Sequence, residues 1–234
     1  MKSIDVVNKE LKIFFFQPMS YIITLLFLLL SGWFFASSLF IIRQAELTSL
    51  LTIMPFMLLF FVPAITMRLF AEELKLGTIE IVLTNPVKDS TLIAGKFMSA
   101  LVVVIFMLIF TIYYTVALLI AGDPDIGKIT ASYIGLIFLI SSYISIGIFA
   151  STLTKNQIVA FIVTFIIIFL LFMLDKITIF FPAQIQKIIE YLSITYHFNA
   201  FSSGLINFSD VIYYLTVIFL FLYLANYKLT KRYY

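Results

Sequence analysis

Hydrophobic residues run along this chain in long uncharged blocks separated by short charged segments. Six blocks hold no Asp, Glu, Lys or Arg: Ile13–Ile42, Leu47–Met67, Phe97–Gly122, Ile129–Thr154, Asn156–Leu174 and Val211–Tyr227. A helix rises about 1.5 Å per residue and the hydrocarbon core of a bilayer is about 30 Å thick, so a span needs about 20 apolar residues. Each block therefore predicts a transmembrane helix. The last is short; Tyr213, Tyr214, Tyr223 and Tyr227 at its ends are interfacial anchors that accommodate it.

The segments between the blocks carry their own patterns. In residues 1–18, Ile4, Val7, Leu11, Phe14 and Phe15 fall near one helical face and Asp5, Lys9 and Lys12 on the other, with Val6 and Ile13 blurring the stripe. This predicts a helix lying in the interface, ended by Pro18 at the turn into the first span. Residues 68–96 are longer than a minimal loop needs to be. Arg68 to Leu76 reads as a helix with Glu72 spaced four from Arg68, and Gly77 breaks or caps it. Thr78 then opens a short second element, Ile79 to Leu83, that Asn85-Pro86 ends. Asp89-Ser90 starts the helix that runs through Lys96 into the third span. Such a patterned segment under the membrane reads as a docking surface for another protein. Within 175–210, Ile185, Ile188, Ile189 and Leu192 face away from Gln184, Gln186, Lys187 and Glu190, which predicts an amphipathic helix over Ala183 to Ser193. Tyr191 to Ser209 is uncharged yet too polar for a span, and reads either as a re-entrant hairpin or as an outer cap.

Composition agrees with a bilayer solvent. Of 234 residues 63% are hydrophobic and 12% charged, with mean hydropathy +1.14, about half the charge of a soluble domain. Charge then sets the sidedness. With the N-terminus inside, eleven of the fifteen basic residues fall on inner segments, and Arg43, Lys128, Lys176 and Lys187 remain outside. An even number of spans puts both termini in the cytoplasm. The first span reads as retained rather than cleaved, because the residues before it do not form a short basic signal region. A net charge of +3 without a clustered basic face excludes nucleic acid as a partner. The absence of cysteine excludes disulfides and thiolate metal sites.

The usual signatures of chemistry are missing. Gly95-Lys96 lacks the glycine five positions earlier that a Walker A loop requires, and there is no H-E-x-x-H or G-x-S-x-G. The uncharged blocks leave only Asp175 as an acid at a span end, against ion-coupled transport or intramembrane proteolysis. His197 reads as an interfacial or packing residue. Ser141, Ser142, Ser145 and Gly147 form a run of small residues suited to close helix packing.

Two stretches carry a resemblance. Arg68, Glu72-Glu73, Gly77-Thr78-Ile79-Glu80, Thr84-Asn85-Pro86-Val87 and Gly95-Lys96 resemble the cytoplasmic coupling region of type-2 ABC exporter permeases. Tyr191, Leu192, Ser193, His197, Phe198, Phe201, Gly204 and Asp210 are similar to the outer segment of the gliding-motility-type branch of that family. The resemblance covers nearly the whole chain. It implies an all-α integral membrane permease with six spans, an N-terminal interface helix (1–18), a cytoplasmic coupling segment (68–94) and outer re-entrant or amphipathic helices (176–210), in one domain over 1–234. The segment Gly122 to Lys128 leaves no room for a large outer domain.

The resemblance further implies a bacterial cytoplasmic-membrane exporter. Two permease subunits, identical or paralogous, would form the pathway over a separate ATPase dimer that holds the ATP and Mg. This chain would bind no cofactor itself. Coupling to that ATPase is expected at Arg68, Glu72, Glu73, Gly77, Thr78, Ile79, Glu80 and Pro86, with Ile81 and Leu83 as apolar anchors. For a single carboxylate the simpler reading is internal pairing, such as Glu72 with Arg68, worth a few tenths of a kcal/mol. His197, Phe198, Gly204 and Asp210 mark the outer segment. The rival functions are a membrane subunit that transmits ATPase work to partner proteins without transport, and a membrane enzyme with a dispersed site.

Overall fold

A computed structural model describes residues 3–39, 47–78, 89–121 and 124–231. Among these residues the chain is helical, with no strands, and six helices are long and apolar enough to cross a membrane. The spanning helices are α2 (Pro18–Ser37), α3 (Thr48–Thr66), α5 (Asp89–Ala121), α6 (Ile126–Leu153), α7 (Gln157–Ile177) and α10 (Phe208–Thr230). The others are α1 (Ser3–Phe16), α4 (Arg68–Leu76), α8 (Ala183–Leu192) and α9 (Ile194–Ser202). With six crossings both chain ends lie on one side, called here the termini side.

Local signals explain most boundaries. Gln17 is extended, and Pro18 follows at the first turn of α2, where its missing N–H costs nothing. Gly77 ends α4 in the left-handed region at φ 71°, a conformation that glycine adopts without a Cβ penalty. Asp125 caps α6 by accepting from the Lys128 N–H, and Asn156 caps α7 by accepting from the Ile158 N–H. The helix read to run through Lys96 into the third span is present, described from Asp89 to Ala121 with Lys96 inside it.

The helices are arranged around α6. This is the most buried of the spans, and it packs on α3, α4, α5, α7, α9 and α10. Its small residues make that possible. A Cβ on Gly147 would collide with Thr66 of α3, and one on Gly135 would sit 2.5 Å from Phe201 of α9. The hydroxyls of Ser141, Ser142 and Ser145 bond back to carbonyls of their own helix. In contrast α2, α7 and α10 leave most of their surface uncovered by protein, as helices that face lipid do.

Two non-spanning elements differ from their sequence reading. Helix α1 does not lie free in the interface but packs along α5. Its buried face centres on Val6 and Phe14 with Glu10 between them, and Ile4 is 65% exposed. The buried stripe is shifted from the one predicted: Val7, Leu11 and Phe15 are partly buried, and Glu10 turns inward to Lys96. Helix α9 falls in the segment left open between hairpin and cap. It is helical, and Ile194, His197, Phe198 and Phe201 are buried. Its contact with Gly135 lies about 13 Å along α6 from that helix's far-side end.

Candidate functional site

On the termini side, α1, α4 and α5 meet around Lys96. Its side chain is 1% exposed, and its ammonium contacts three oxygens: the Leu69 carbonyl at 2.6 Å, Glu10 Oε1 at 2.7 Å and Glu73 Oε2 at 3.1 Å. The Glu10 contact is a charge-assisted hydrogen bond. Glu73 Oε2 is close but not aligned as an acceptor, so that contact is electrostatic. Lys9 Nζ lies 3.6 Å from Glu73 Oε1, and the Phe70 ring sits 5.0 Å from the Lys96 ammonium. The sequence explains the burial. Lys96 falls on the stripe Leu92, Ile93, Ser99, Ala100 and Val103, which faces the protein. A buried cation of this kind persists only when carboxylates and a carbonyl replace its water.

The coupling residues read from the sequence distribute around this cluster. Arg68 opens α4, half-buried, with its guanidinium 5.2 Å from the Phe14 ring centre. Glu72 is half-buried and borders a cavity with Arg68. Glu73 is 14% exposed and committed to Lys96 and Lys9. Lys75, Leu76 and Gly77 form the exposed end of α4, with Thr78 beyond them. Ile79, Glu80, Ile81, Leu83 and Pro86 lie outside the described residues. Sequence reading had Lys96 only as part of the resemblance and missed Glu10. The available signal was a charge at an apolar stripe position, Val6–Glu10–Phe14.

On the far side a second polar cluster ties α8 and α9 to α10. His197 Nδ1 meets Asp210 Oδ1 at 2.6 Å, and its Nε2 meets the Tyr191 carbonyl at 3.0 Å. A carbonyl only accepts, so Nε2 donates to Tyr191. Asn207 donates to Asp210 Oδ2 at 3.0 Å. Tyr213 stacks on the imidazole at 3.9 Å and donates to the Leu192 carbonyl at 2.7 Å; Tyr214 donates to the Ile194 carbonyl at 2.9 Å. His197 and Asp210, side by side here, were read from the sequence only as marks of one segment. Phe198 is buried beside them. Gly204 turns the chain at φ 88°, where an added Cβ would meet Lys128 at 3.1 Å. No nucleophile stands in hydrogen-bond reach of the imidazole, and among the described residues no group of acids and histidines could hold a metal ion.

The arrangement is thus six apolar spans, an ion-paired helix set at one end and a polar latch at the other. A family model described as ABC-2 family transporter protein matches residues 4–232. The chain belongs to the ABC-2 transporter family. No match was found among curated proteins. The ABC-2 match spans both clusters, and it does not distinguish the gliding-motility-type branch. As an ABC-2 permease the chain is a multi-pass membrane protein and a transporter subunit rather than an enzyme. Its two polar clusters therefore belong to the ends of a transport domain.

Proposed function

We propose that this chain is the membrane subunit of an ABC exporter in a bacterial cytoplasmic membrane, with both termini cytoplasmic. It pairs with a second copy or a paralogue, and a separate ATPase dimer, which carries the ATP and Mg, drives it. The observation that carries the reading is how α4 is held. The Lys96 cluster clamps α4 against α1 and α5, and α4 also packs on α6 and α7. A force applied at the end of α4 therefore moves several spans together.

The exposed end, Lys75 to Thr78, with the segment beyond it, is the contact we assign to the ATPase. Of the acidic residues, Glu73 supports α4 from inside, and Glu72 faces a cavity. The sequence has no nucleotide-binding motif of its own, so the energy has to come from another chain.

Affinity purification of the tagged chain from native membranes in mild detergent tests the reading. A stoichiometric protein with a Walker A motif is expected with it. The double change Lys75→Glu and Leu76→Asp should strip the ATPase from the complex while the chain melts unchanged, whereas Glu73→Lys should lower both retention and melting temperature. Full retention of the ATPase in the Lys75/Leu76 variant would remove the end of α4 from the interface.

A further inference from the structure

Two cavities open on the termini side and share a wall. The larger, about 350 Å³, is bordered by charged side chains of the Lys96 cluster. The smaller, about 170 Å³, is mostly apolar and is bordered by Phe14, Met19, Ile23, Ala64 and Ile65. Gln17, Arg68 and Glu72 border both. The chain itself fixes their depth. Gln17 immediately precedes α2, Arg68 follows the end of α3, and Gln157, a further wall of the smaller cavity, begins α7. Polar residues at the start of α2, after α3 and at the start of α7 thus line one cavity, where headgroups are expected to lie.

Charge narrows what fits there. Lys96 and Lys9 are matched by Glu10 and Glu73. That leaves Arg68 and Glu72 facing the cavities; Glu72 and Glu10 act on Arg68 through their charge, yet among the described residues no carboxylate lies within ion-pair distance, 4.0 Å, of it. One fixed cation and one fixed anion stand above an apolar slot. The complementary molecule carries an anion and a cation at one end and hydrocarbon below.

We propose that this cleft binds one phospholipid with a zwitterionic, primary-amine headgroup. Its phosphate sits on Arg68, its ammonium on Glu72, and the upper part of an acyl chain against Met19, Ile23 and Ala64. The guanidinium fork matches phosphate oxygens, and an ammonium supplies the N–H donors that a carboxylate needs. A choline headgroup has no such donors. A glycerol headgroup leaves the lipid with a net negative charge beside Glu72 and offers no cation to it. The site is independent of any ATPase partner.

The test uses the full chain, stripped of lipid in detergent and titrated with phosphatidylethanolamine, phosphatidylcholine or phosphatidylglycerol, with bound copies counted by native mass spectrometry. One phosphatidylethanolamine should bind about tenfold more tightly than either of the others, the scale of one charge-assisted hydrogen bond. Arg68→Gln should weaken binding of all three lipids about tenfold, because each presents the same phosphate. Glu72→Gln should erase the preference over phosphatidylcholine by weakening phosphatidylethanolamine binding more, since both lipids carry a cation but only the ammonium donates to the carboxylate. Ala64→Phe, which fills the slot and keeps both charged groups, should lose the lipid as well. Glu72→Gln and Ala64→Phe stay clear of the Lys96 ion pairs, so the proposal is tested even where Arg68→Gln fails to fold. Equal binding of the three lipids, preference for phosphatidylglycerol, or binding unmoved by Glu72→Gln and Ala64→Phe would overturn it.

Discussion

Lys96 has only 1% of its side chain exposed, and two carboxylates contact its ammonium. Lys96→Met leaves Glu10 without its cation and Glu73 with only the half-exposed Lys9. We expect a loss of about 3–5 kcal/mol, the usual cost of breaking a buried pair from one side. Thermal unfolding in detergent measures it. Adding Glu10→Gln to Lys96→Met should restore part of the loss; no recovery would mean that the carboxylates are not what the lysine serves. At the other end, Asp210→Ala should cost about 1–3 kcal/mol by leaving His197 Nδ1 without its partner, and proteolysis at 203–207 should become faster. Half of this was legible in the sequence. Glu10 sits between Val6 and Phe14, and Lys96 continues the stripe of Leu92 and Ile93, so both stand where apolar residues are expected. That they meet each other could not be read, because 86 residues separate them and nothing local encodes a pairing at that range. The same holds for His197 and Asp210, whose role depends on a turn at Gly204.

At the scale of elements, α3 and α6 approach until Gly147 touches Thr66. Gly147→Ala should destabilise by about 1–3 kcal/mol, as overpacking does. Thr66→Ala on that background should recover only part of it, because the Cβ that remains still lies 2.6 Å from the added one; melting temperature is the readout, and a double variant with no recovery would place the strain elsewhere. The elements that sequence pattern predicted well are those whose signal is local. Helix α4 ends at Gly77, and the amphipathic stretch from Ala183 ends at Leu192, one residue from its predicted limit. Helix α9 was harder, because His197, Asn199, Ser202 and Ser203 make it look like a loop. Their polar groups are satisfied inside the protein: Ser202 and Ser203 donate to the Asn199 carbonyl, and His197 pairs with Asp210. The predicted face of α1 holds at Leu11, Phe14 and Phe15, which pack on the core, and fails at Ile4. Glu10 joins the buried side through its bond to Lys96, which a hydrophobic stripe does not record.

For the whole molecule, the count of six spans was legible because each uncharged block is long against the bilayer thickness. Which span is central was not. Helix α6 has mean hydropathy 2.0, below the 2.9 of α7, yet it is the buried one. In a membrane, burial follows small residues rather than apolar ones, because lipid solvates leucine as well as protein does. The proposed sidedness rests on the even count and the basic residues. The chain has no cysteine, so Ser3→Cys and Lys231→Cys can each be labelled without background. Both should react with impermeant maleimide from the cytoplasmic face, and Lys187→Cys from the opposite one. Reaction of the two terminal positions from opposite faces would break the six-span topology.

The position of α6 also has a consequence for how the protein is made. Helix α6 emerges fourth among the spans, yet its most extensive contact is with α10, the last. At roughly 5–20 residues per second, the wait between the end of α6 and the end of α10 is roughly 4–15 s. During that time the helix richest in buried serine and glycine stands in the bilayer with one side unmatched. Biogenesis must therefore hold this span at the insertion machinery, or hand it to a membrane chaperone, until the chain is finished. Nascent chains truncated before residue 208 should be captured and degraded as orphans, although every span they contain inserts normally.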